Sequence, residues 1–81
     1  MAIYLLSLEL KKSVNHQTLK DELEKFGAVK LTQTTWQIKR FETDAFNLKE
    51  FFRLHINAEE RLVVAEITES SSWNTINELE I

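Results

Sequence analysis

The chain has no cysteine, no proline and a single glycine among its 81 residues. Without cysteine there is neither a disulfide framework nor a thiolate-ligated zinc centre, a composition that suits a cytoplasmic setting. One glycine cannot build the several-glycine loops that cradle phosphates or dinucleotides, which removes those ligand classes. The missing proline carries no functional consequence. Apolar runs stay far short of the ~20 residues that cross a bilayer, and the first residues lack the basic region of a signal peptide, so no membrane partner is expected. Positive charge is also in short supply. The net charge of −3 argues against a non-specific nucleic-acid binder, which gains affinity by neutralising phosphates with excess Lys and Arg. The deficit is uneven: residues 1–56 hold nine bases against seven acids, and residues 57–81 hold Arg61 against six acids.

What the chain does have is one apolar stretch that organises the rest. Ala2, Tyr4, Leu6, Leu8 and Leu10 alternate with Ile3, Leu5, Ser7 and Glu9, the pattern of a central strand covered on both faces. Lys11 to Val14 reads as a loop, and Asn15 is placed to cap a helix whose apolar face carries His16, Leu19, Leu23 and Phe26. Gly27 follows as the left-handed residue that ends this helix. Two short alternating strands come next, Ala28 to Thr32 and Thr35 to Phe41. Thr43 is expected to cap a second helix, with Ala45, Leu48, Phe51, Phe52 and His55 inward and an end near His55. Residues 57–60 turn, and Arg61 to Ile67 forms a second apolar strand that should lie beside the first.

The order β-α-β-β-α-β predicts an α+β, ferredoxin-like domain over residues 1–68: an antiparallel four-stranded sheet with both helices on one face. Residues 69–81 form an extra C-terminal segment. Its alternating Leu79 and Ile81 suit an edge strand in a dimer, with Trp73 and Ile76 contributing. A chain of this length buries only roughly 60–65% of its unfolded surface, so a second copy is the expected source of added stability. Ile3 and Leu5, on the face without helices, belong to that interface.

Candidates for chemistry are few. Glu9 is the least expected residue in its strand, and with Glu66 on the neighbouring strand it could hold Mg²⁺, a hard ion that prefers oxygen ligands. Pairing of each acid with a base such as Lys11, Lys39 or Arg40 is the alternative. His16 is the third candidate ligand, but both histidines fall on apolar helix faces, where a packed imidazole is the commoner outcome, and a Ser7-His16-Asp21 triad is not favoured. Lys11, Lys12, Lys39 and Arg40 are the candidate nucleic-acid contacts, with Trp36 and Phe41 as stacking surfaces.

Taken together, residues 3–10, Asn15 with the helix to Phe26-Gly27, Leu31 to Lys39 with its Thr35-Trp36 pair, and Glu60 to Thr68 before Trp73-Asn74 resemble the small bacterial proteins described as SinR-like. These are similar in turn to the second core CRISPR-associated protein of spacer acquisition and to the virulence-associated protein D toxins. The resemblance spans nearly the whole chain. It implies a ferredoxin-like homodimer in families that include metal-dependent nucleases and non-catalytic scaffolds. Their activity rests on an aspartate at the end of the first strand. The matching position is Glu9, preceded by Leu8 rather than the usual tyrosine, and displacement of the carboxylate by ~1 Å can cost about 10²-fold in rate. The expectation is therefore a dimeric module that binds nucleic acid or a partner protein with little or no catalysis. The alternatives are a Mg²⁺-dependent endonuclease of RNA or DNA using Glu9 and, second, a structural interaction adaptor.

Overall fold

A computed structural model describes residues 2–12, 15–69, 71, 73, 75 and 76. The elements are β1 (Ala2–Glu9), α1 (Gln17–Lys25), β2 (Val29–Lys30), β3 (Thr35–Arg40), α2 (Ala45–Arg53) and β4 (Arg61–Ile67). The four strands form one sheet in the order β2-β3-β1-β4, and every neighbouring pair is antiparallel. This is the ferredoxin-like arrangement, with β1 and β3 central.

Register decides which side chains meet the helices. Tyr4 lies opposite Ile38 and Glu66, Leu6 opposite Trp36 and Val64, and Leu8 opposite Leu62. Tyr4, Leu6, Leu8 and Ile38 are buried against Leu19 and Leu23 of α1 and Leu48 and Phe52 of α2, so this is the core side. Phe26, Phe51 and Phe52 pack pairwise with ring centroids 5.1–5.2 Å apart, a separation suited to tilted and edge-on aromatic contacts. The Tyr4 hydroxyl donates to the Thr43 carbonyl at 2.8 Å, which satisfies the one polar atom this side chain carries into the core. Burial, followed by the charges of Glu66 and Asp44, holds that phenol above its ordinary pKa.

Local chemistry moves several boundaries. Asp44 rather than Thr43 caps α2, its carboxylate accepting from the Asn47 N–H at 2.7 Å, while the Thr43 carbonyl serves Tyr4. Asn15 accepts from the Gln17 N–H at 2.9 Å but stands one residue before the N-cap, which is His16. The helix α2 ends at Arg53, short of His55. Strand β2 shrinks to two residues because the Leu31 and Thr32 N–H groups both turn back to the Thr35 carbonyl. Gly27 has φ +68° and ends α1 as its sequence position implies.

Among the described residues no helix is long and apolar enough to cross a membrane. The described end of the chain returns to the far edge of the sheet, where the Ile76 N–H donates to the Leu31 carbonyl at 2.9 Å. Leu79 and Ile81 lie outside the described residues.

Candidate functional site

The sheet face without helices is set by the same register. It presents Ile3, Leu5, Ser7 and Glu9 from β1, Thr35, Gln37 and Lys39 from β3, Val29 from β2, and Arg61, Val63, Ala65 and Ile67 from β4. An apolar band runs along β1 and β4, where Ile3, Leu5 and Ile67 are half-buried and Val63 is 61% exposed, with Ser7 within it and Thr35 and Gln37 beside it on β3. Its charges stand at the ends, Glu9 and Arg61 at one and Lys39 at the other. From the segment beyond β4, Trp73 is 91% exposed and Ile76 51%. Gln37 departs from this pattern. It is only 5% exposed, flanked in register by Leu5 and Val29, and its Oε1 has no hydrogen-bond partner among the described residues.

Glu9 is on this face at the rim, its side chain 73% exposed, with Arg61 as its cross-strand neighbour at 3.7 Å. Glu66 sits opposite Tyr4, on the other face and five residues away along β1, roughly 17 Å. The two carboxylates are not brought together within one chain, because antiparallel pairing sets the end of β1 against the start of β4. Nor does His16 join Glu9. Among the described residues no group of three or more His, Cys, Asp or Glu converges on one point.

The four candidate nucleic-acid contacts fall into two places. Lys11 and Lys12 follow the end of β1, and Lys11 is salt-bridged to Glu59. Lys39 and Arg40 lie opposite Ile3 and Ala2, at the start of β1 and about 20 Å away. They also point to opposite faces. Lys39 is on the helix-free side, whereas the Arg40 guanidinium lies 4.2 Å from the Phe26 ring centroid, with its Nε buried and without a hydrogen-bond partner among the described residues. Trp36 is half-buried on the helix side and does not share a surface with Lys39, while Phe41, just past the end of β3, is 66% exposed.

The most organised polar cluster was not foreseen from the residue types. Glu60, its side chain fully buried, accepts from the backbone N–H groups of Lys11 and Asn57 at 2.7 Å and contacts His16 Nε2 at 2.5 Å. One carboxylate thus joins the β1–α1 loop, the start of α1 and the α2–β4 loop. Burial pushes its pKa up, but hydrogen bonds from Asn57, Lys11 and His16 outweigh burial and hold it below the ordinary value. A signal was present in the spacing: Asn57 precedes Glu60 by three residues, the interval of reciprocal capping interactions. The Glu60 N–H indeed donates back to the Asn57 carbonyl at 3.0 Å. All three hydrogen bonds to the carboxylate come from the protein itself, which marks the cluster as a structural clamp.

No protein family model matches this chain, and no match is found among curated proteins or solved structures.

Proposed function

We propose that the protein is a cytoplasmic homodimeric binding module, without catalysis of its own, in which a second copy covers the helix-free face of the sheet. The observation that carries this reading is the distribution of polarity on that face. Ile3, Leu5, Val63 and Ile67 make an apolar band along β1 and β4, bordered by Lys39 beside Ile3 and by Glu9 and Arg61 at the other end, as in interfaces with an apolar core and a polar rim. A two-fold axis through the centre pairs the patch with itself. The segment after β4 adds exposed apolar surface at Trp73 and, at the far edge of the sheet, at Ile76. At ~25 cal/mol per Å² removed from water, covering this area stabilises a small chain by several kcal/mol.

Glu9 has Arg61 beside it and, among the described residues, joins no group of three or more His, Cys, Asp or Glu, so the endonuclease reading has less support than the binding reading. The families that the sequence resembles contain scaffolds of the same kind, and the partner such a dimer serves is nucleic acid or protein. Sedimentation equilibrium on the full chain and on a chain ending at Ser70 is the test. The expected result is a dimer for the full chain, weakened by the truncation. A well-folded monomer at micromolar concentration refutes the reading. Incubation with labelled RNA and DNA in Mg²⁺ is expected to leave both intact, and cleavage lost in Glu9→Ala would restore the endonuclease.

A further inference from the structure

On the helix side, and therefore left open by a second copy on the other face, a groove of about 400 Å³ separates the outer flank of α1 from β2 and the adjoining edge of β3. Its volume falls in the range of small-ligand sites, roughly 300–1,000 Å³. Trp36 and Ala28 are among its apolar lining residues, and Trp36 is half-buried rather than sealed in the core. Lys30 reaches over the Trp36 ring, its Nζ 5.1 Å from the centroid. Lys20 lines the groove from α1, as do Asp21 and Glu24, and Asp21 is held by a hydrogen bond from Gln17 Nε2 at 2.8 Å.

We propose that this groove binds a single nucleotide unit, its base stacked on Trp36 and its phosphate between Lys20 and Lys30. The chemistry of the lining favours this class. An indole face accepts any base, since every base has a π-face, and Lys30, which lies over that face, swings off it to meet the phosphate as the base takes its place. Two lysines match one phosphate. The carboxylates of Asp21 and Glu24 accept hydrogen bonds from base amino groups and repel further phosphates, which confines the site to one unit. The same unit is offered by a free nucleotide and by an unpaired strand of nucleic acid. The groove shares no residue with the proposed dimer interface, so this assignment does not rest on the dimer.

The experiment uses the full chain carrying Trp73→Phe, which leaves Trp36 as the only indole. Its fluorescence is titrated with cytidine monophosphate and, separately, with a hexacytidylate, at low salt. Saturable quenching at one nucleotide unit per chain is expected, weakened about tenfold or more by Lys20→Glu with Lys30→Glu. A salt dependence of log–log slope about −0.7 to −1.4 is expected for one or two phosphate contacts on a single strand. Equal affinity for the two ligands identifies a free-nucleotide site, and tighter hexamer binding identifies an unpaired strand. Absence of saturable quenching to millimolar ligand, or quenching indifferent to the double lysine variant, overturns the proposal. Circular dichroism of the lysine variant separates lost binding from lost fold. Sedimentation of the same samples keeps the two readings apart: a monomer that binds nucleotide refutes the dimer alone.

Discussion

Glu60 shows how one side chain can be decisive without being conspicuous in sequence. Unfolded, it titrates near 4.5; folded, its pKa is lower, so between the two values the unfolded chain binds more protons. Its contribution is therefore complete above about pH 4.5 and is lost as pH falls through the folded value. Glu60→Gln is expected to lower stability at neutral pH by about 1–3 kcal/mol, and the gap to the natural protein should close in acid. Urea midpoints measured from pH 7 down to pH 3 check both statements, and a gap independent of pH would contradict them. Glu42 lies at φ +54°, a conformation that suits glycine and strains side chains carrying a Cβ. Glu42→Gly should raise stability by up to about 1 kcal/mol, read as a shift of the same midpoint. Composition marked neither residue as special, and only the three-residue spacing from Asn57 pointed to Glu60. Glu60 looked like one acid in a polar turn, and a positive φ at a glutamate has no compositional signature.

At the scale of elements, β1 behaves as its alternation implies, with partners on both sides and Tyr4, Leu6 and Leu8 in the core. Strand β4 was legible to the residue, because a continuous apolar run between a polar turn and a serine-rich stretch leaves little choice of boundary. Strand β2 was not. Its length depends on where Leu31 and Thr32 send their N–H groups, a choice made by the turn to Thr35 that hydropathy does not record. Register was the other hidden variable. It sets Glu9 against Arg61 and Glu66 against Tyr4, so two acids at the ends of neighbouring strands finish on opposite faces. Adjacent leucines on β1 offer a test of the two faces. Leu6→Ala, in the sealed core, should cost about 3 kcal/mol at every protein concentration. Leu5→Ala should cost less in dilute solution and more where the proposed dimer forms, since its second contact surface is supplied by another chain. Thermal unfolding of both variants across a hundredfold range of concentration reads the difference.

For the whole molecule, the helices finish one face of the sheet and leave the other with an apolar band along β1 and β4. Gln37 departs from that pattern: it is buried on the second face within the single chain, with an acceptor that no described residue satisfies. The paired bases at Lys11-Lys12 and Lys39-Arg40, the suggested nucleic-acid contacts, do not form one continuous patch within the chain. The pairs stand at opposite ends of β1, and the Arg40 guanidinium stacks on Phe26. Sequence proximity had made each pair visible, but only topology reports the distance between them. The central claim is that two copies meet across the helix-free face, and an isotope-filtered NOE experiment on a sample mixed from labelled and unlabelled chains tests it most directly. The account predicts intermolecular contacts from the methyl groups of Ile3, Leu5, Val63 and Ile67. Contacts arising instead from Phe41, Phe46 or Leu54, or no intermolecular contacts at all, would contradict it.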